Sequence, residues 1–322
     1  MSECAPPPAT VTVVGAGVSG LTCAVSIQEA GYPTEIVTSA LPAQTTSMMA
    51  AAVWTIPGTN PGSRSFEWAL ASRSVFEQLA RDPASGVSPL VQRELETTQP
   101  FRPLGWEGRF PWIRTLEANE VPPGYSGGWR IEGFLIDPTF HLPWLQARFE
   151  RGGGTLEVDQ LGSLDEARAQ VVVNCSGLGA RELCADQDLV PVRGQIVAVR
   201  AEGIREGISY EGDPERIRYV YPRRNEVILG GTREAGNDSP LPDPRTTERI
   251  LRDCQTLVPE LEKAVLVESR VGIRPGRPAV RLERDRLADG RLLIHNYGHG
   301  GQGFLLSWGC ADEVVRLIQT AD

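Results

Sequence analysis

The chain has 322 residues, of which 41% are hydrophobic and 23% charged, and its net charge is -9. This composition predicts a soluble globular protein of two domains and excludes a disordered chain. The negative charge argues against nucleic acid or an anionic membrane as a partner. The six cysteines show no metal-binding spacing, and the sequence has neither a signal-peptide pattern nor an apolar run of about 18 residues. We therefore expect reduced thiols, no metal site and a cytoplasmic protein.

The first predicted element is the segment from Val11 to Gly20, in which an apolar run breaks into a glycine-spaced turn. The pattern predicts a strand, a tight turn and a helix start, which together are typical of dinucleotide binding. Gly15 allows the sharp turn, Gly17 allows a pyrophosphate to approach the backbone, and Gly20 allows close packing of helix on strand. The phosphates are then expected at the helix N-terminus, where backbone N–H groups and the helix dipole favour negative charge.

The helix that follows is predicted to keep Leu21, Ala24 and Val25 on one face. The second predicted strand, from Thr34 to Val37, ends without the acidic residue that usually binds a ribose hydroxyl. Ser39 stands in that region instead. The motif therefore predicts a dinucleotide without saying which one.

The amino-acid composition changes several times along the middle of the chain. Small and hydroxyl-bearing residues fill positions 44–54, where they either let the backbone approach a flat ligand or begin a tightly packed helix. Proline, glycine and tryptophan are frequent over 57–138, with one helix predicted near 66–79, which suggests an inserted domain. An apolar β-branched run at 171–174 then ends in a glycine-rich turn, as expected of a buried parallel strand that faces a ligand.

Antiparallel strands are predicted for residues 191–231 and 265–271. Within the first of these segments, residues 216–222 and 227–229 are expected to form a hairpin. Tyr219 and Tyr221 then share one face of the sheet because side chains alternate with a period of two. Such a pair either provides a phenol to a ligand or forms an ordinary aromatic cross-strand stripe.

A second glycine loop, Gly298 to Gly303, lies between a predicted strand that begins at Leu292 and a predicted helix over 304–318. Two glycine loops that each open a helix, at opposite ends of the chain, predict one ligand site assembled from distant segments. The alternative is a glycine turn that serves packing alone. His295 and His299 flank this loop without a carboxylate or serine spaced to complete a triad, so we interpret them as structural.

Arg274 lies between Gly272 and Pro275, in a stretch where prolines fix the backbone. We expect Gly272 to leave free space on the same strand face. A rigid arginine beside free space suits a bidentate clamp for a carboxylate, although most arginines are simply exposed to solvent.

Taken together, these motifs resemble the D-amino-acid oxidases, flavoproteins of the glutathione-reductase-like FAD-binding superfamily, and they cover nearly the whole chain. The segments that carry the resemblance are 15–20, 45–47 with 50–54, 173–177, 193–195, 272–278 and 294–301. The last two are the most specific for this family and its D-aspartate oxidase branch. The resemblance implies an α/β fold with a Rossmann-like FAD-binding domain, residues 1–56, 138–190 and 272–322, and an antiparallel-sheet substrate domain, residues 57–137 and 191–271.

The resemblance also implies roles for individual residues. Arg274 would bind the substrate carboxylate with Tyr219 as its hydroxyl partner, and the Gly301 carbonyl would accept the substrate amine. Val53, Thr55 and Tyr221 would line the side-chain pocket. The residues expected around FAD are Gly15, Ala16, Gly17, Val18, Ser19, Ser39, Thr45, Thr46, Ser47, Ala51, Ala52, Val53, Ser176, Gly300, Gly301, Gln302, Gly303, Phe304 and Leu305.

The reaction that the resemblance implies is oxidative deamination of a neutral D-amino acid. Hydride transfer from the α-carbon to flavin N5 gives an imino acid, which hydrolyses to a 2-oxo acid and ammonia, and oxygen reoxidises the flavin to yield hydrogen peroxide. Catalysis is then mainly orientation, without a side-chain base. The expected partners are thus a D-amino acid and oxygen, with a homodimer as the assembly.

Two departures from the family pattern affect these expectations. Residues 213–218 reach Tyr219 directly, which predicts a short or absent lid, bulkier substrates and faster product release. Ser39 stands where animal members carry an acidic residue. An acidic substrate is the alternative within the family if Arg216, Arg218 and Arg233 reach the pocket. A nicotinamide-dependent reductase and a non-catalytic dinucleotide-binding protein are the alternatives outside it, while glycine and sarcosine oxidases share the fold.

Overall fold

The computed structural model describes residues 9–55, 61–213 and 217–320. In chain order, its strands are β1 Val11–Val14, β2 Thr34–Thr38, β3 Val53–Trp54, β4 Val87–Glu96, β5 Ile113–Thr115, β6 Gly127–Ile136, β7 Thr155–Val158, β8 Val171–Asn174, β9 Val190–Arg200, β10 Gly207–Tyr210, β11 Arg218–Pro222, β12 Val227–Gly230, β13 Glu234–Ala235, β14 Val265–Gly276, β15 Arg281–Arg286 and β16 Leu292–Tyr297. Its α-helices are α1 Val18–Glu29, α2 Arg64–Leu79, α3 Pro138–Arg151, α4 Ala180–Leu183, α5 Pro244–Gln255 and α6 Gly303–Gln319. Within these ranges, no helix has the length and apolarity needed to span a bilayer.

Six strands form a sheet in the order β15-β16-β8-β1-β2-β7, here called the nucleotide sheet. All of its neighbours are parallel except β15 and β16. The central strand β1 is fully buried, as expected for an apolar strand covered on both faces. Because the carboxyl ends of β1, β2, β8 and β16 meet at one edge, the turns that follow them open onto the same region.

Helix α1 is more buried than its sequence pattern predicts. Leu21, Ala24 and Val25 are buried as expected, but Thr22 and Cys23 between them are buried as well. The reason is that α1 packs against α3 and α6 in addition to β1 and β2. A helix enclosed on several sides buries residues all round, in addition to the predicted face of Leu21, Ala24 and Val25.

The other sheet has ten strands, with the main order β13-β9-β12-β11-β10-β4-β6-β3, and β14 and β5 pair with β9 and β6. Its pairs are antiparallel except for β4 and β10. The predicted hairpin is confirmed, because β11 pairs with β12 and Tyr221 lies opposite Ile228. Strand β14 continues to Gly276, beyond the predicted end at 271, and so includes Arg274.

The helix predicted near 66–79 is α2, whose N-terminus is capped by the Ser63 side chain. It packs against α6, where Gly309 lies against the backbone of Trp68 and donates its N–H to the Ser72 hydroxyl at 3.0 Å. In contrast, β4, β5 and β6 from the same part of the chain join the ten-stranded sheet. The segment 57–137 therefore contributes a helix that packs against α6 and three strands of the ten-stranded sheet.

Candidate active site

Where β1 leads into α1, the backbone is too closely packed for a side chain at Gly15, in the turn, or at Gly20, in the first turns of the helix. Gly15 has a φ of 106°, and a Cβ there would lie 2.6 Å from the Cys175 carbonyl oxygen. A Cβ on Gly20 would lie 1.8 Å from the Gly15 carbonyl oxygen. The N-cap residue Gly17 has no side chain and the first turn of α1 has no acidic residue, while the Val18 N–H donates to the Ser47 hydroxyl at 3.0 Å. This helix N-terminus is thus suited to an anion.

The second glycine loop lies next to the first. Helix α6 begins at Gly303, also without a side-chain cap or an acidic residue in its first turn. A Cβ on Gly303 would lie 3.5 Å from Cγ1 of Val18, and Asn296 Nδ2 donates to the Ser19 hydroxyl at 3.4 Å. The structure therefore brings together the two glycine loops that sequence analysis assigned to one ligand site.

Several other residues predicted around the cofactor follow strands of the nucleotide sheet, at its carboxyl edge. The others lie in segments that pack beside that edge. Ser176, after β8, donates from its N–H and its hydroxyl to Asn174 Oδ1 at 3.1 and 2.6 Å. Thr46, in a turn after β2, donates its hydroxyl to the Ile273 carbonyl at 3.0 Å. Ser39 directly follows β2 and is exposed. Phe304 and Leu305 are buried in the first turn of α6.

Arg274 extends from β14 with its guanidinium directly over Gly194. A Cβ on Gly194 would lie 2.2 Å from Nη1 of Arg274, and the same nitrogen donates to the Thr232 carbonyl at 3.0 Å. The prediction that Gly272 leaves free space was wrong, because a Cβ there would lie 3.2 Å from Cβ of Met49. The turn 46–49 fills that position, and Gly194 on the paired strand β9 provides the space instead.

Tyr219 lies close to Arg274 on the face of the ten-stranded sheet. Its ring stacks on Tyr221 with centroids 5.1 Å apart and an interplanar angle of 16°. Its hydroxyl is 2.9 Å from the position that a Cβ would take on Gly231, next to the residue whose carbonyl binds Arg274. Burial raises the pKa of Tyr219 to about 12, and the Arg274 charge opposes that rise. The phenol is therefore protonated at neutral pH and can donate a hydrogen bond.

Val53 and Tyr221 contribute to an apolar cluster on this face, together with Leu90 and Leu135. Thr55 follows β3 and donates its hydroxyl to Glu94 Oε2 at 3.3 Å. Glu94 was not predicted as a site residue.

Arg223 is a further residue that sequence reasoning missed. Its side chain is fully buried, and Nη2 donates to the carbonyls of Ala50 and, at 3.1 Å, Ala51. The same guanidinium pairs with Glu226 at 3.3 Å. Because the buried charge is paired and hydrogen-bonded, Arg223 fixes the backbone that leads into Val53.

The three arginines considered for an acidic pocket differ in position. Arg218 lies on the sheet face opposite Tyr219, with its guanidinium 4.9 Å from the Tyr210 ring centroid. Arg233 is exposed and pairs with Glu211 at 3.3 Å. Arg216 lies outside the described residues, as do the other residues of 214–216 in the segment predicted as a short lid. Arg218 is therefore directed away from the pocket.

His299 is buried and its Nε2 has no hydrogen-bond partner in the described ranges. Burial lowers its pKa to about 4, so the imidazole is neutral at physiological pH. His295 contacts Asn174 and Asp285 instead. His295 Nδ1 also lies 3.9 Å from Cys184 Sγ, but burial raises the pKa of that thiol, so the pair does not provide an activated nucleophile.

Comparison with solved structures shows which fold the chain shares. The structure of glycine oxidase from Geobacillus kaustophilus superposes with a TM-score of 0.85 at 20% identity, covering 98% of this chain and 95% of that one. Dithionite-reduced L-α-glycerophosphate oxidase from Mycoplasma pneumoniae, with FAD bound, superposes with a TM-score of 0.74 at 17% identity, covering 97% and 95%. The chain has the fold of an FAD-dependent oxidoreductase.

Comparison with other sequences identifies the family to which the chain belongs. The family model described as FAD dependent oxidoreductase matches residues 10–317, so the chain belongs to that family. D-amino-acid oxidase of Rubrobacter xylanophilus is 42% identical, with 97% of each chain covered, and that of Streptomyces coelicolor is 42% identical, with 95% and 96% covered. Human D-aspartate oxidase is 34% identical, with 96% and 94% covered. The predicted family and fold class are confirmed.

The residues of the two glycine loops fit FAD. Two adjacent helix N-termini without an acidic residue in their first turns favour negatively charged groups, and the backbone contacts at Gly15 and Gly20 keep the turn after β1 free of side chains. The flavoprotein prediction is thus confirmed by the family and is consistent with the geometry.

Proposed function

We propose that this protein is an oxidase that converts neutral D-amino acids to 2-oxo acids, ammonia and hydrogen peroxide. The observation that carries the proposal is the Arg274 guanidinium over Gly194, beside the protonated Tyr219 hydroxyl. An arginine fork and a phenol donor together match the two oxygens of an α-carboxylate. The two bacterial relatives at 42% identity, both named D-amino-acid oxidase, support the same conclusion.

In this proposal Arg274 and Tyr219 hold the substrate carboxylate, and the Gly301 carbonyl accepts a hydrogen bond from the substrate amine. Support comes from the position of Gly301, whose Cβ would lie 3.7 Å from Cδ of Arg274. Carboxylate, amine and side chain then have separate partners, which fixes the direction of the α-hydrogen and selects one enantiomer. Val53, Thr55 and Tyr221 line the side-chain pocket.

The segments proposed to hold FAD are 15–19, Ser39, 45–47, 51–53, Ser176 and 300–305. When bound, FAD supplies the hydride acceptor at flavin N5. The N-terminus of α1 would bind the diphosphate, while that of α6 would favour negative charge at the other loop. Ser39 would stand near the ribose, at the end of β2.

We also propose the domain division 1–56, 138–190 and 272–322 for FAD and 57–137 and 191–271 for substrate. In its favour, every strand of the nucleotide sheet comes from the first set. Oxygen is the proposed electron acceptor, in keeping with the names of the relatives. A cytoplasmic location is supported by five free thiols among the described residues. A homodimer is supported by the exposed apolar segment Val265–Val267.

The purified protein is expected to be yellow and to bleach when D-valine is added without oxygen. In air, D-valine should be consumed with equal amounts of hydrogen peroxide and ammonia, whereas L-valine should not react. Absorbance spectra and a coupled peroxidase assay measure both results. A colourless protein that oxidises NADH would contradict the proposal, and a rate on D-aspartate far above those on D-valine and D-alanine would contradict the preference for neutral substrates.

Substituting Gly194 with alanine is expected to raise KM for D-valine by about 10-fold with little change in thermal stability. The methyl group would occupy the position of the Arg274 guanidinium, whose flexible side chain can move aside at low cost to the fold. Steady-state kinetics and flavin absorbance measure the two effects. The matched control is Gly108→Ala, because a Cβ at Gly108 meets nothing within 4 Å. Equal KM values in the two variants would show that Gly194 does not position Arg274.

A further inference from the structure

The two donors proposed for the substrate carboxylate both contact one short stretch of backbone, at the end of β12 and just after it. The Thr232 carbonyl accepts a hydrogen bond from Nη1 of Arg274 at 3.0 Å. A Cβ on Gly230 would lie 1.8 Å from Cζ of Tyr219, and a Cβ on Gly231 would lie 2.9 Å from its hydroxyl. The position of this backbone is therefore expected to affect the arginine and the phenol together.

An extra residue interrupts the pairing with β9 at this point. Between the last pair of β12 with β9 and the first pair of β13 with β9, residues 231–233 lie opposite residues 194–195 only. Such a β-bulge commonly redirects a group next to a functional site. In a regular antiparallel pair, backbone carbonyls bind a neighbouring strand or face away from it along a fixed pattern. Here the Thr232 carbonyl binds the Arg274 side chain instead.

The Thr232 hydroxyl holds this bulge against β9. The Gln195 N–H donates to Oγ1 of Thr232 at 2.9 Å. Both residues are buried, Gln195 completely, so leaving that N–H without an acceptor would be unfavourable. The Thr232 side chain thus provides the acceptor for β9, while the carbonyl of the same residue binds Arg274.

Gln195 is itself fixed by a network of buried polar groups. Its Oε1 accepts hydrogen bonds from Nη2 of Arg193 and from the Asp243 N–H, each at 2.8 Å. Its Nε2 donates to the Asp243 carbonyl and to the Thr247 hydroxyl, each at 2.9 Å. Arg193 also donates to Oε1 of Glu234, just after the bulge, at 2.9 Å. Because all hydrogen-bonding positions of the amide are occupied, Gln195 gives Thr232 a rigid support.

We propose, on the basis of the proposed function, that Thr232 is a positioning residue for the substrate carboxylate. Its hydroxyl anchors the bulge to β9, and its carbonyl then orients the Arg274 guanidinium. Tyr219 is positioned with it, because its ring packs against the glycines that precede Thr232. Thr232 acts through these two side chains, without contact to the substrate. Loss of the hydroxyl would leave the Gln195 N–H without its acceptor and allow the bulge to shift, which misaligns both carboxylate contacts.

Replacing Thr232 with valine tests this role, because valine keeps the branched shape and lacks the hydroxyl. In the holoenzyme we expect KM for D-valine to rise about 10-fold and kcat to change less than about 3-fold, since the carboxylate is bound in ground state and transition state alike. The inhibition constant of 3-methylbutanoate, which is valine without its amine, should rise by the same factor. Thr232→Ser keeps the hydroxyl and should hold both constants within about 2-fold of the wild type. Steady-state kinetics and the flavin-to-protein ratio measure these effects.

The matched control is Thr34→Val, which removes a hydroxyl of similar burial at the start of β2. Thr34 is 8% exposed against 7% for Thr232, and its hydroxyl donates to the Tyr32 carbonyl at 2.8 Å. Its KM and inhibition constant should equal those of the wild type. Equal constants in Thr232→Val and Thr34→Val, or an effect of Thr232→Ser as large as that of Thr232→Val, overturn this inference alone. If the wild type does not oxidise D-valine, it is the proposed function that fails.

A double variant separates positioning of Arg274 from a general loosening of the sheet. In the Arg274→Lys background the guanidinium is absent, so adding Thr232→Val should lower kcat/KM for D-valine by less than about 3-fold, whereas independent effects would multiply. Full multiplication of the two effects contradicts action through Arg274. If Thr232→Val yields no holoenzyme, Thr232→Ala removes the same hydroxyl with a smaller side chain, and the same expected and contradicting results apply to it.

Discussion

Replacing Arg274 with lysine is expected to lower kcat/KM for D-valine roughly 100- to 1,000-fold, because each charge-assisted hydrogen bond lost from a bidentate contact costs about 1.5–3 kcal/mol. The guanidinium lies over Gly194 and donates one N–H to the Thr232 carbonyl, which leaves its other N–H groups for a carboxylate. Lysine keeps the charge but lacks the planar fork, so it cannot bind the backbone carbonyl and both carboxylate oxygens in the same geometry.

The measurement is a Michaelis–Menten analysis of D-valine oxidation with the flavin content of each preparation. Most of the effect should appear in KM, with a smaller decrease in kcat from poorer orientation of the α-hydrogen. Arg245→Lys is the matched control, because Arg245 is exposed in the first turn of α5. A decrease of less than about 5-fold in Arg274→Lys, with normal flavin content, would show that Arg274 is not the carboxylate clamp.

The parts of the fold that were predicted from the sequence are governed by local spacing. The glycines at 15, 17 and 20 sit between an apolar strand and a helix, and each requirement acts over a few residues. The hairpin placed Tyr219 and Tyr221 on one face for the same reason, since alternation along a strand is fixed by the backbone. These features could be predicted because no distant residue is needed to create them.

The missed features arise from pairing between distant strands. Gly194 lies under Arg274 because β9 pairs with β14 in a register that places Gly272 opposite Gly194. Periodicity indicates which face a side chain takes but not which strand lies next to it. Glu94 shares the sheet face of Tyr219 for the same reason, because the parallel pairing of β4 with β10 places it opposite Ser209, which is opposite Tyr219. Its position could not be predicted before those neighbours were known.

Substituting Gly20 with alanine is expected to prevent formation of the holoenzyme. The added Cβ would lie 1.8 Å from the Gly15 carbonyl oxygen, which is backbone and cannot rotate away. The turn after β1 cannot easily move away from the added Cβ. The Gly15 N–H donates to the Val37 carbonyl at 2.8 Å, and Gly15 already lies against Cys175. Overpacking of this kind costs about 1–3 kcal/mol or more, and here it moves the backbone proposed to bind the diphosphate.

A graded series of alanine variants separates this clash from a general effect of substituting glycine. A Cβ on Gly17 would lie 3.1 Å from the Ser47 hydroxyl, which belongs to a side chain and can rotate, whereas a Cβ on Gly179 would make an ordinary contact of 3.6 Å with Cβ of Ser176. The flavin-to-protein ratio after purification and the thermal unfolding midpoint should therefore fall in the order Gly179→Ala, Gly17→Ala, Gly20→Ala. If Gly20→Ala retained as much flavin as Gly179→Ala, the close approach of α1 to the β1 turn would not be required for cofactor binding. Since Gly20 contacts the turn from the helix side, the expected loss would show that helix packing and phosphate binding depend on the same few atoms.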